Sequence, residues 1–417
     1  MTEHERRMHE LFAGLEGPVS RRELLRRAGR GSMFLGVGAL LAACGIGGED
    51  EADPTPTEAS PSPLPEIAGQ LVFANWPLYI DRAQGESPTL VSFTDETGIE
   101  IDYQVVINDN EEFFGTIREP LSQGQSSGWD IIVMTDWMIA KMNRLGYLER
   151  IHHDQLPDFE ASVADKFRDP WFDPGNEHSI PWAAGITGIG YDVEAVGRDI
   201  VRFEDLFADD LAGRVGLFAE MRDTFGLALA SMGIQSPDAT VGDIEAAQQM
   251  LIANRDKVRG FYGNDYTDGM ARGDLVASMA WSGDIFALSL DNPNLRFVIP
   301  EAGGMRWSDN MAIPIGAEHP LDAHLFMNHV YDPRIATNIT EWVWYESPIA
   351  AVQEMIRADA AGPDADDLSC SPFCADLAED RFVFPTEETN AQTIPYKQLD
   401  EEEEQAWNDL FQTVVQG

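Results

Sequence analysis

Cysteine is scarce in this chain and basic residues are few. Three cysteines, Cys44, Cys370 and Cys374, occur in 417 residues, and 28 Lys and Arg face 72 Asp and Glu, for a formal net charge of −44. Nucleic acid and anionic lipid are poor partners for such a surface, because both would be repelled; cationic ligands would be attracted. A solubilising acidic surface, as in proteins adapted to high salt, accounts for much of the excess. Enzyme signatures are missing too. The chain has no Gly-x-Ser-x-Gly elbow, phosphate loop, Rossmann glycine fingerprint or zinc-hydrolase His motif. His152-His153 reads as a surface pair, since adjacent side chains do not converge on a metal easily. No catalytic, metal or cofactor site is expected.

Long apolar runs are also lacking. The stretch Met33–Ala43 is too short to span a bilayer, which takes ~20 apolar residues. It follows Ser20-Arg21-Arg22-Glu23-Leu24-Leu25, a twin-arginine pattern, and ends in Leu41-Ala42-Ala43-Cys44, which resembles a bacterial lipobox. Residues 1–43 therefore read as a twin-arginine lipoprotein signal peptide, with Cys44 as the lipidated residue. Residues 44–66, rich in Asp, Glu, Pro, Ser and Thr, read as a disordered tether. The expected location is the outer face of the cytoplasmic membrane, with contact to the bilayer through the lipid alone. In such an oxidising compartment Cys370 and Cys374 suggest a local disulfide; zinc would need further ligands, and no His lies nearby.

The rest of the chain has the length and apolar content for two domains with full cores. Apolar strands at 70–76, 99–106 and 129–134 alternate with helical segments, predicting a parallel α/β sheet covered on both faces. A second α/β run starts near Gly185, with strands at 188–191, 213–218, 275–281, 297–300 and 307–314.

Ligands in open α/β sheets bind beyond the carboxyl ends of the strands. Five strand ends carry an aromatic, an acid or both: Asn75-Trp76 with Tyr79, Thr135-Asp136-Trp137, Glu220 with Asp223, Trp281 with Asp284, and Trp307 with Asp309. Trp307 and Asp309 are two apart and share one face of an extended segment. Aromatic faces attract cations and carboxylates accept their N–H bonds. Trp76, Trp137 and Trp281 also suit a core, Glu220 and Asp223 a helix N-terminus, and Asp284 the role of a cap.

Several stretches carry a resemblance: "FANWPLYI", "ETGIEIDY", "GWDIIVMTDWMIAKM", "SIPWAAGITGIGYD", "MAWSGD" and "GGMRWSDNMAIP". From about Gln70 to Val352 the chain resembles the periplasmic spermidine/putrescine-binding proteins of bacterial ABC transporters. The resemblance implies a two-lobed periplasmic-binding-protein fold of the α/β class with a hinge. Lobe 1 would comprise 67–184 and 309–352, and lobe 2 would comprise 185–308 and 353–417. It further implies a monomer that captures a linear polyamine and delivers it to an ABC permease with its ATPase subunits, without doing chemistry itself. Another organic cation or amino compound is the alternative ligand, and an exported carboxylate-based glycoside hydrolase the alternative class. By the same resemblance Trp76, Tyr79, Thr135, Trp137, Glu220, Asp223, Trp281, Trp307, Asp309 and Tyr345 would bind the ligand. Two positions depart from the family. Leu78 replaces an acid in the first turn, and a C-terminal Gln falls near Lys397 or Gln398, where a lysine would oppose a cation.

Overall fold

The computed structural model describes residues 64–83, 85–362 and 370–416. The signal peptide, Cys44 and the tether up to residue 63 lie outside the described residues. A compact unit spans Pro63–Gly417. Its strands are β1 (Gln70–Asn75), β2 (Glu100–Val105), β3 (Ile131–Thr135), β4 (Ser179–Asp192), β5 (Val215–Phe218), β6 (Val258–Tyr262), β7 (Ala277–Trp281), β8 (Leu295–Val298), β9 (Gly304–Ala312) and β10 (Thr393–Pro395). They lie in the order β2-β1-β3-β9-β4-β7-β5-β6, with β10 beside β9 and β8 beside β4.

The sheet is mixed, which corrects the parallel expectation. β1, β2 and β3 run parallel, as do β5, β6 and β7, but β9 is antiparallel to β3, and β4 is antiparallel to β7, β8 and β9. β4 enters after a segment of short helices and turns (residues 146–178) rather than a helical crossover. An antiparallel neighbour needs no crossover.

β4 and β9 together join the two halves of this two-lobed α/β architecture. Asp309–Ala312 of β9 pairs with β3, while Gly304–Arg306 pairs with β10. Between them Ser308 faces Ala184 of β4, and Thr187–Tyr191 of β4 carries the pairing on to β7.

Both strands differ from the sequence expectation. β4 is 14 residues long rather than four, because Pro181 and the glycines at 185, 188 and 190 hide it. The register shifts between Pro181 and Ala183, where a residue without an N–H is tolerated. β9 begins at Gly304, three residues before the expected start, and ends at Ala312.

Local signals explain where the helices start and stop. The helix Pro88–Thr97 starts with Pro in its first turn and the Ser87 hydroxyl accepting from the Leu90 amide at 3.3 Å, and it stops at Gly98 with φ 75°. The helix Val241–Ala253 opens with a Thr240–Asp243 capping box. Strand β3 is buried along its whole length. Cys370 and Cys374 are bonded to each other, with Cα atoms 4.9 Å apart.

Candidate ligand-binding site

Asp309 is the centre of the first cluster. In the sheet it faces Thr135 on β3 and Ala183 on β4. The Tyr79 hydroxyl donates to its Oδ2 at 2.8 Å and the Thr135 hydroxyl to its Oδ1 at 2.7 Å. Asn110, the first residue of the helix Asn110–Ser122, orients Thr135: its Nδ2 donates to the Thr135 hydroxyl at 2.9 Å and its Oδ1 accepts from the Thr135 amide at 3.1 Å. Burial pushes the Asp309 carboxyl up to about 6, against the lowering effect of its two hydroxyl donors. The nearby Asp223 charge adds to the rise.

Trp307 lies on the same face of β9. Its indole occupies the space over Gly185, where an added Cβ would meet ring carbons at 2.4 and 2.6 Å. The ring centroids of Trp307 and Tyr345 are 5.3 Å apart.

Glu220 and Asp223 stand at the start of the helix Met221–Ser231, and they do different things. Glu220 caps the helix: Oε1 accepts from the Arg222 amide at 3.1 Å and Oε2 from the Asp223 amide at 2.7 Å. Asp223 turns inward, accepting from the Tyr396 hydroxyl at 2.6 Å and the Trp281 indole N–H at 3.4 Å. Trp281 packs on Phe218 with centroids 4.5 Å apart. Burial raises both carboxyls, and the Asp223 charge raises Glu220 further.

Asp284 corrects the capping reading. It lies in the first turn of the helix Ser282–Ser289, which has no side-chain cap. Its Oδ2 instead accepts from the Tyr266 hydroxyl at 2.9 Å and its Oδ1 from the Tyr345 hydroxyl at 2.7 Å. Gly283 makes this possible, since a Cβ there would sit 2.7 Å from the Tyr345 ring. The Trp281 amide donates to the Tyr266 hydroxyl at 3.1 Å, which links Asp284 to Asp223 through one tryptophan.

Asp223, Asp284 and Asp309 therefore converge among Tyr79, Trp281, Trp307 and Tyr345. Asp223 and Asp309 are buried and Asp284 is half-buried, and loss of hydration raises each carboxyl. Their side-chain hydrogen-bond donors are neutral hydroxyl and indole groups, from Tyr79, Thr135, Tyr266, Tyr345, Tyr396 and Trp281. Such a cluster is costly as it stands, and an organic cation would relieve the cost.

The other candidates sit at its margins. Trp76 is half-buried, with its indole N–H on the Val133 carbonyl at 2.9 Å. Trp137 is buried, and the guanidinium of Arg222 lies 4.3 Å from its ring centroid. Leu78 is exposed, with φ 55°, and none of the carboxylate contacts involves it. Lys397 points away: its Nζ donates to the Ala239 carbonyl at 2.6 Å and pairs with Glu403 at 2.8 Å. The neighbouring Tyr396 enters the cluster instead. His152 and His153 join no group able to hold a metal among the described residues; His153 bonds to Glu160 and to the Asn176 carbonyl.

Sequence reasoning missed Tyr396, Tyr266 and Asn110, and named Asp136 only as part of a strand end, not as a binding residue. Asp136 is buried beside the Trp137 and Ser308 amides, which bond its two oxygens at 2.6 and 3.3 Å, and burial pushes it up to about 8. The one available signal was Asp136 itself, which opens the helix Asp136–Leu145 directly after a fully buried strand.

Comparison with known proteins identifies the family. Residues 89–362 match the family described as bacterial extracellular solute-binding protein. The spermidine/putrescine-binding periplasmic protein of Escherichia coli K12 is 27% identical over 304 residues, covering 72% of this chain and 84% of that protein. The corresponding protein of Salmonella typhimurium is 26% identical over 320 residues, covering 75% and 89%. A solved structure from Streptococcus pneumoniae, named as a spermidine/putrescine ABC transporter substrate-binding protein, superposes with a TM-score of 0.66 at 26% identity, covering 83% of this chain and 98% of that one. With two thirds of its length matched and a two-lobed α/β fold, this chain belongs to the bacterial extracellular solute-binding proteins, a family of binding proteins and not a class of enzymes.

Proposed function

We propose that this protein is the substrate-binding component of an ABC importer and captures a linear polyamine of the spermidine/putrescine class. The observation that carries the reading is the set of three carboxylates, Asp223 and Asp309 buried and Asp284 half-buried, held by tyrosine and tryptophan donors and without an ion-pair partner among the described residues. The names of the relatives point to the same ligand class.

In this reading Asp309 takes one ammonium, and Asp223 with Asp284 takes another. The Trp281, Trp307 and Tyr345 rings cover the methylene chain between them. Hydrogen bonds to charged groups contribute ~1.5–3 kcal/mol each and cation–π contacts ~0.5–2 kcal/mol. Two or three of each suffice for micromolar binding, about −8 kcal/mol, after the costs of association.

Lobe 1 is 67–184 with 309–352 and lobe 2 is 185–308 with 353–417. The Ala184–Ser308 pairing, where β9 passes from β10 to β3, supports a hinge there. Closure around the ligand presents both lobes to the permease, which works with its ATPase. The twin-arginine signal and Cys44 support export and a lipid tether to the outer face of the cytoplasmic membrane. The protein acts as a monomer and does no chemistry.

Thermal unfolding with and without ligand tests this function. Millimolar putrescine or spermidine raises Tm while a neutral oligosaccharide does not, because only a ligand of the native state stabilises it. A polyamine that shifts Tm no more than the sugar would refute the assignment.

A further inference from the structure

Arg222 carries a full charge yet is only 4% exposed. Its Nη2 donates to Glu404 Oε1 at 3.2 Å and its Nη1 to the Lys397 carbonyl at 3.3 Å, while its guanidinium lies over the Trp137 ring at 4.3 Å. Glu404, on the C-terminal helix Glu401–Gln416, also pairs with Lys141 at 3.2 Å and Arg144 at 3.3 Å. These contacts fix the guanidinium in place from both sides. A planar cation held on an indole face is what a ligand ammonium would otherwise be.

The carboxyls accordingly fall into two groups. Glu404 is paired with Arg222, Lys141 and Arg144, so it has resident cations. Asp223, Asp284 and Asp309 have none among the described residues. Two of these three are linked through one aromatic contact: Asp309 and Tyr79 bond directly, Tyr345 bonds Asp284, and the two phenol rings touch.

We propose that Arg222 is a built-in cation that takes the Trp137 face and so limits the ligand to a short diamine. This rests on the polyamine reading and narrows it. A triamine or tetramine entering the same cleft would bring its additional ammonium against the guanidinium. Like charges in a poorly solvated site repel strongly, so the longer amines are disfavoured by the resident charge rather than by lack of carboxylates.

Calorimetric titration of the full chain with putrescine, cadaverine, spermidine and spermine tests this. The wild type binds a diamine at least tenfold tighter than spermidine. Arg222→Gln reduces that preference tenfold or more, and Arg222→Lys, which keeps the charge, retains most of it. Glu404→Gln loosens the guanidinium without altering the three carboxylates and reduces the preference severalfold. A wild type that binds spermidine as tightly as the diamines overturns the inference, even if Arg222→Gln does not fold. So does a preference unchanged in Arg222→Gln or, should that variant not fold, in Glu404→Gln. Absence of binding by every amine would instead remove the polyamine reading itself.

Discussion

Tyr79 and Tyr345 meet edge to face with ring centroids 5.6 Å apart, and their hydroxyls serve different carboxylates, Asp309 and Asp284. Two carboxylates of the proposed site are thus coupled through one aromatic contact. Tyr79→Phe removes a donor from Asp309 while leaving the ring contact in place. Polyamine affinity should fall about tenfold, in keeping with ~1.5 kcal/mol for a hydrogen bond to a charged group. Calorimetry on Tyr79→Phe and Tyr345→Phe checks this, and an unchanged affinity in both would count against the proposed anchors.

Binding should depend on pH in the acid direction. Burial holds Asp309 near 6 and raises Asp223 and Asp284, and the ligand needs them ionised. Affinity is therefore full at pH 8 and falls as pH drops through about 6. Titrations from pH 5 to 8 give the profile; flat affinity across that window would contradict ionised acids at the site. Tyr79→Phe should move the midpoint upward, because its hydroxyl lowers Asp309.

The same groups make the empty protein less stable as pH rises. A carboxyl raised in the folded state favours folding below its unfolded value, near 4, and loses that contribution as pH climbs through its folded value, near 6 for Asp309. Asp309→Asn removes the ionisation and should raise the Tm of the ligand-free protein by a few degrees at pH 8, from a difference on the order of 2 kcal/mol. It should also abolish polyamine binding. A ligand-free Tm that drops would show that Asp309 supports the fold rather than the site.

Two glycines can be tested by adding one methyl. Gly185→Ala would drive a Cβ into the Trp307 ring and Gly283→Ala into the Tyr345 ring, at 2.4 and 2.7 Å. Each should cost about 1–3 kcal/mol of stability, as overpacking does, and should weaken binding by displacing a ring. Denaturant unfolding of the two variants measures the first effect; wild-type stability in both would mean that neither ring needs the space.

Much of this was legible in the sequence, because apolar runs and acid–aromatic pairs are local signals. Trp307 and Asp309 could be placed on one face from their spacing alone. The mixed sheet was not legible, since β4 hides behind Pro181 and three glycines, and the direction of a strand is set by partners far away in sequence. Asp284 misled because an acid in the first turn of a helix usually serves the helix; Tyr266 and Tyr345, 18 and 61 residues away, decide otherwise. Tyr396 was passed over for its neighbour Lys397, as the two point in opposite directions and nothing local says which one turns inward.

The most direct measurement is the proton count on binding. Calorimetric titration of the full chain with putrescine at pH 6, in two buffers of different ionisation enthalpy, gives stoichiometry and proton release together. Buried carboxyls that ionise when an ammonium arrives should yield saturable one-to-one binding with release of ~0.5 proton from Asp309 alone, falling towards zero at pH 8 and lost with the binding in Asp309→Asn. One-to-one binding with no proton release, unaffected in Asp309→Asn, or no binding of any polyamine, would contradict a cation site built on these acids.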